Sequence, residues 1–348
     1  MRPFAVLFLA MVSFALGCHR SNQTTPVPMG SASSAITLSS GAMSSHTLSK
    51  QTTIAISGDI VEAKEISGIG FLGDFLFLVS NETTHLDILK KSGDGYKLAK
   101  SVHIAGESEE LDLESIAVDG TTVYVIGSHS RVRPKQKSAD TYAEAREKLT
   151  TVDFVDSQRD VLARFPFDPI SGQPGDVETV SLRTFIDTNP VLKPFAALPS
   201  KENGVDIEGV AVKGNEVYVG FRGPVLRENF VPIVVTTFTT PTAGEIRFVK
   251  LGGLGVRDLA AVKDGFLILA GPNGDGPGTF QIYLWNGADC VNGATPAGTC
   301  DLLVEVPDQG KANPEGLTVT AEHADAWELV LVCDGIKNGN PTRYRLTK

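Results

Sequence analysis

The chain has 348 residues, 42% of them hydrophobic, with 35 glycines, 19 prolines and a formal net charge of −10. That is enough apolar material for one large all-β domain or two smaller ones, joined by many tight turns. The acidic charge is spread along the chain, which excludes a nucleic-acid surface, because such a surface needs clustered Lys and Arg.

Met1-Arg2 is a short positive start, and Pro3 to Leu16 is an apolar run too short to span a bilayer as a mature helix. The run ends in Ala15-Leu16-Gly17-Cys18, which resembles a bacterial lipobox. Residues 1–17 then read as a lipoprotein signal peptide and Cys18 as the lipidation site. The protein is expected to be exported and held in the bacterial cell envelope by its lipid alone, at the outer membrane or the periplasmic face. Residues 18–51 are Ser, Thr and Pro rich and cannot offset their ordering entropy, so they read as a flexible tether. The folded domain is expected over 52–348.

Thr52 to Ser57 is a lone strand, placed to complete the last repeat and close a ring. Five units follow, each an acidic pair, a short apolar strand, a turn, a second strand and a polar tip. They start near Glu65, Asp112, Asp206, Arg257 and Asn313. The interval between the second and third starts is about twice the others. Two insertions fill it: Arg133 to Arg159, with a helical stretch at Tyr142 to Leu149, and Thr184 to Asn203, with room for one short helix. All-strand repeats of this length mean a β-propeller, here five-bladed with short helical insertions; six blades remain the alternative. Of the cysteines, Cys290 and Cys300 flank a Gly and Pro rich loop and are expected to form a disulfide, while Cys333 lies in an apolar run as a buried thiol. No Cys-x-x-Cys occurs and the six His are scattered, which argues against zinc.

Antiparallel pairing puts the start of each first strand beside the end of the second, so both motifs of every unit fall at one end of the propeller, around its axis. One slot there holds Glu65, Asp112, Asp206, Val256 and Asn313. The next holds Ser67, Glu114, Glu208, Asp258 and Glu315. The tips add Asn81 and Glu82, Ser128-His129-Ser130-Arg131, Arg222 with Arg227, Asn273 with Asp275, and Asp334. Carboxylates crowded round an axis repel unless arginine or a cation compensates them. Arg131, Arg222 and Arg257 can do this without metal. A hard cation such as Ca²⁺ is the other solution, with Glu114, Glu208 and Glu315 as its oxygen ligands.

Asp112-Leu-Glu-Ser-Ile-Ala, Gly127-Ser-His-Ser-Arg131, Asp206-Ile-Glu-Gly-Val-Ala, Phe221-Arg-Gly-Pro224, Val256-Arg-Asp-Leu259 and Pro314-Glu-Gly316 together resemble the bacterial family described as domain of unknown function 3616. The resemblance covers about Glu65 to Arg345. The layout is more distantly similar to phytase-like and esterase-like propellers, which implies hydrolysis.

The reading that follows is a hydrolase of a small anionic substrate, a phosphate or other ester, in a polar funnel. His129, Glu114, Glu208 and Glu315 are the candidate catalytic residues, with His129 as base. Arg131, Arg222 and Arg257 would hold the anion, with Asp112, Asp206, Asp258 and Ser128 around it. The rival is a non-catalytic module presenting the same funnel to a ligand or envelope partner. A monomer is expected in either case.

Overall fold

The computed structural model describes residues 46–348 apart from 107–109, 153–156, 275 and 277. The leader, Cys18 and most of the expected tether lie outside these residues, as do Asp275 and part of the acidic run at 107–110. The first strands are β1 (Leu48–Thr53) and β2 (Ile56–Ser57). Blade one is β3 (Ile66–Leu72), β4 (Phe75–Ser80), β5 (His85–Ser92) and β6 (Gly95–His103), with β2 lying parallel to β6. Blade two is β7 (Leu113–Asp119), β8 (Thr122–Gly127) and β9 (Leu162–Asp168), with β10 (Gln173–Pro174) and β11 (Glu178–Val180) both on β9. Blade three is β12 (Asp206–Lys213), β13 (Glu216–Gly223), β14 (Phe230–Thr236) and β15 (Glu245–Lys250). Blade four is β16 (Gly255–Val262), β17 (Gly265–Gly271), β18 (Gln281–Trp285) and β19 (Cys300–Glu305). Blade five is β20 (Asn313–Glu322), β21 (Ala326–Asp334) and β22 (Thr342–Thr347), completed by β1.

The inner strands touch in the cyclic order β3, β7, β12, β16, β20 and back to β3, which makes a five-bladed propeller. The N-terminal strand closes the ring as expected, but it starts earlier. Leu48–Thr53 pairs with β22, so residues 48–51 belong to the propeller and not to the tether. The buried residues form five clusters, each shared by two neighbouring blades. Phe77 and Phe167 meet edge to face between blades one and two, and Tyr218 and Trp285 between three and four. Each blade buries one face on the next, so the ring stands without a separate central core.

The long connections of blade two are insertions and not a sixth blade. The first carries α1 (Tyr142–Thr150), which starts in a capping box of Thr141 and Glu144 and buries none of its residues. The second carries α2 (Arg183–Thr188), which buries Phe185 and Ile186 between blades two and three. Among the described residues, no helix is long and apolar enough to cross a membrane.

Candidate functional site

Every inner strand carries one bulge at the same level. The ladder skips one residue between Ile66 and Gly68, Leu113 and Ser115, Ile207 and Gly209, Val256 and Asp258, and Pro314 and Gly316. The bulged residues are therefore Ser67, Glu114, Glu208, Arg257 and Glu315. A bulge leaves its residue outside the ladder and re-aims its side chain. The fivefold slot was expected to hold Asp258 in blade four. The register gives that slot to Arg257, one residue earlier, so three carboxyl groups share the ring with their own counterion.

The residue after each bulge lies where neighbouring blades come closest. A Cβ on Gly209 would stand 3.2 Å from the Asp258 backbone, and one on Gly316 would stand 2.8 Å from Ser67 O. Blades two and four carry Ser115 and Asp258 at this level, both fully buried. Ser115 Oγ donates to Asp258 Oδ1 at 2.6 Å and accepts from Val210 N at 3.0 Å. Asp258 also accepts from Leu259 N at 2.8 Å and Leu317 N at 2.7 Å. Asp258 thus acts as a clamp, tying its own blade to blade five directly and to blades two and three through Ser115. Burial keeps its carboxyl well above the usual range, against the pull of those three donors.

Above this clamp, Glu114, Glu208 and Glu315 each place an oxygen within 4.8 Å of the others. Glu208, 2% exposed, accepts from Arg222 Nη1 at 2.7 Å and Arg257 Nη1 at 2.5 Å. Burial opposes its charge, but Arg257, Arg222 and Lys201 together hold it well below the usual carboxylate range. Glu315 shares Arg257 Nη1 at 3.2 Å, and burial still lifts it to about 8. Glu114 is 7% exposed and has no side-chain hydrogen-bond partner among the described residues. Burial, and then the charges of Glu208, Asp112 and Glu315, push it well above the usual range. One cluster thus sets a carboxylate favoured as the anion beside two carboxyls whose proton affinity is raised. It suits a hard cation poorly, because Arg257 Nη1 already binds both Glu208 and Glu315, and a dication there would face that guanidinium.

The other expected residues surround this centre in different roles. Asp206 is 2% exposed, and its Oδ2 has no hydrogen-bond partner. Its nearest charges are Lys201 Nζ at 3.7 Å and Arg222 Nη1 at 3.9 Å, and burial raises it to about 6. Asp112 accepts from Ser128 Oγ, from Ser130 Oγ at 3.3 Å and from Arg159 Nη1 at 3.0 Å. Ser128 is fully buried and spends its hydroxyl on Asp112, which fixes the tip.

His129, expected as the base, has both ring nitrogens engaged. Its Nδ1 bonds Gly127 O at 2.9 Å, its Nε2 accepts from Leu182 N at 3.1 Å, and burial pushes it down to about 4. With Nε2 accepting, Nδ1 carries the proton, and the neutral ring ties the tip to the chain before α2.

The anion-holding arginines are also occupied. Arg131 binds Ser130 O and Asp160, and Arg222 adds Pro272 O at 3.2 Å and Asn273 O at 2.9 Å to its bond with Glu208. Arg227 is exposed on the turn Arg227–Asn229. Arg257 Nε is buried without a hydrogen-bond partner. Cys290 and Cys300, expected as a disulfide, are free thiols: Cys290 Sγ turns towards Ala288 O at 3.9 Å. Cys333 is a buried free thiol. Two surface depressions, of about 400 and 500 Å³, lie away from the carboxyl cluster. One is at the opposite end of the axis beside Lys213, Ala261 and Val319, and the other is beside Tyr218, Arg247 and Phe266.

Lys201 and Arg159 complete the site and were not anticipated. Both lie in the insertions of blade two, where no strand periodicity places them. Lysine or arginine facing an excess of acidic slots was the one available signal.

The fold and this ring of bulged polar residues define a five-bladed β-propeller with an axial carboxyl cluster. The chain belongs to the family described as "Protein of unknown function (DUF3616)", whose model matches residues 65–178 and 173–344. No curated protein matches it. Among solved structures it is similar to the glutaminyl cyclase of Myxococcus xanthus, with 9% identity, a TM-score of 0.46, and 86% of this chain and 96% of that one covered. It is also similar to the PQQ-bound aldose sugar dehydrogenase of Streptomyces coelicolor, with 10% identity, a TM-score of 0.46, and 87% and 98% covered. A putative 6-phosphogluconolactonase from Bacteroides uniformis matches at 14% identity, a TM-score of 0.36, and 69% and 57% covered. Likenesses this distant carry nothing about chemistry.

Proposed function

We propose that the protein is an acid–base enzyme, a hydrolase of a small polar substrate that reaches the axial carboxyl cluster. The observation that carries this reading is the unequal treatment of three neighbouring glutamates. Glu208 is locked between two guanidiniums, while Glu114, against it, has no hydrogen-bond partner. Neighbouring carboxyl groups with separated ionisation are what acid–base chemistry near neutral pH requires. In the singly ionised state of Glu114 and Glu315, one takes the proton of an attacking water. The other gives a proton to the leaving atom of an ester, lactone or amide. Glu208 holds the fixed negative charge beside them. A phosphate ester is less well supported than the sequence suggested, because Arg131 and Arg222 are occupied.

We also propose export and lipid anchoring through Cys18, on the strength of the leader's layout. A panel of uncharged esters, lactones and amides, assayed with the full chain and with Glu114→Gln, tests the catalytic reading. Turnover lost in the variant at an unchanged melting temperature supports it. Turnover equal in both rules out Glu114 as the proton carrier. A purely binding funnel would turn over none of the panel.

A further inference from the structure

We propose that the axial funnel takes a primary ammonium group, so that its ligand is a small amine, held by Glu114, Glu315 and Asp206. This rests on the acid–base reading of the same site and names the class of molecule it receives.

Three observations carry it. The oxygens that remain free are acceptors on buried acids. Asp206, 2% exposed, has an orphaned Oδ2, and Glu114, 7% exposed, lies against Glu208 and Glu315 without sharing their guanidinium. Leaving such groups unpaired is costly, so a donor that completes them gains correspondingly. Next, most of the site's cations are fixed: Arg222, Arg257 and Arg159 hydrogen-bond to Glu208, Glu315 and Asp112. The last is Lys201. Its side chain is 40% exposed, and its Nζ stands 3.7 Å from Asp206 Oδ2 and 4.0 Å from Glu208 Oε1. It faces these carboxyls from beyond hydrogen-bond range. An ammonium group of the protein's own therefore already faces the cluster without closing on it.

An ammonium suits this geometry better than a metal. It needs three acceptors and brings one charge. Ca²⁺ needs six to eight oxygens and would bring two charges against Arg257. Burial raises the carboxyls of Glu114 and Glu315 above the usual range in the free protein. A cation bound against them lowers their pKa and ionises them, so binding releases protons to solvent.

The test uses the full chain and four probes: n-butylammonium chloride, n-butanol, sodium butyrate and calcium chloride. Melting temperature and isothermal titration calorimetry are read for each. Butylammonium should raise the melting temperature with concentration, and butanol and butyrate should not. Calorimetry in buffers of different ionisation enthalpy should show proton release. If one proton leaves, the Kd should fall about tenfold for each unit that the pH rises towards 8. Glu315→Gln should reduce the protons released and make that pH dependence shallower, leaving the share of Glu114 and Asp206. Lys201→Gln should tighten butylammonium binding by removing the competing ammonium.

Stabilisation by butyrate in place of butylammonium would overturn the inference. So would a calcium shift that depends on Glu114 without any amine shift, no shift with any probe, or weaker amine binding in Lys201→Gln. The two readings fail separately. Amine binding with no Glu114-dependent turnover of amine-bearing esters or amides defeats the acid–base reading alone. Glu114-dependent turnover of uncharged esters without amine binding defeats the ligand class alone.

Discussion

Replacing Glu208 by Gln removes the one carboxylate that both axial guanidiniums hold. Glu208 is 2% exposed and accepts from Arg222 Nη1 at 2.7 Å and Arg257 Nη1 at 2.5 Å. Without its charge, Arg222 keeps three carbonyl acceptors, Pro272 O, Asn273 O and Gly274 O, and a distant Asp206. Arg257 keeps only Glu315 at 3.2 Å, a group whose own pKa of about 8 makes it a poor counterion at neutral pH. Breaking a buried pair by removing one partner costs about 3–5 kcal/mol, because the remaining charge stays buried and uncompensated. Each kcal/mol is worth roughly 2–4 °C in a domain of this order of size, so the melting temperature should fall by roughly 10 °C. Chemical denaturation of wild type, Glu208→Gln, Arg257→Gln and the double variant gives the cycle. The reasoning predicts that the double variant is far less destabilised than the sum of the singles. A single-variant loss under about 1 kcal/mol, the scale of an exposed pair, or strict additivity, would refute it.

Three further outcomes follow from the same geometry. His129→Ala should cost about 1–3 kcal/mol by orphaning Leu182 N and should leave any pH–rate profile between pH 5 and 8 unshifted, since the ring is neutral there; an acid limb in that range that disappears in this variant would reinstate it as a base. Asp258→Ala strips three buried donors of their acceptor and should lower the melting temperature more than Glu114→Gln does, by differential scanning calorimetry. Glu315 is raised from an ordinary 4.5 to about 8, so its contribution is fully present below pH 4.5 and is lost as pH rises to about 8, at up to about 1.4 kcal/mol per pH unit. Denaturation measured from pH 5 to 8 should show that decline flattened in Glu315→Gln.

The five blades were legible because each unit repeats an apolar strand, a turn and a second apolar strand, and period-two burial needs no tertiary information. The bulge was not legible, and it moved blade four by one residue. Choosing the acidic residue put Asp258 in the ring. Counting back from the repeated alanines, Ala117, Ala211 and Ala260, reaches Glu114, Glu208 and Arg257. The strand's own packing was thus a better ruler than the charge. His129 looked catalytic because a histidine in a polar tip is unusual. Its role is set by Leu182, 53 residues further on, a partner that local sequence does not reveal. Lys201 and Arg159 were missed for a similar reason, since they reach the axis from insertions whose path is fixed by packing over the ring.

The ionisation of Glu114 is the point on which the account turns. The direct measurement is the infrared difference spectrum between wild type and Glu114→Gln at pH 7, read in the carboxylic-acid carbonyl region. The account predicts a protonated-carboxyl band in the wild type that disappears in the variant. A difference confined to ionised-carboxylate bands would mean that Glu114 is an anion like Glu208, and the division into one fixed charge and neighbouring acids would be wrong.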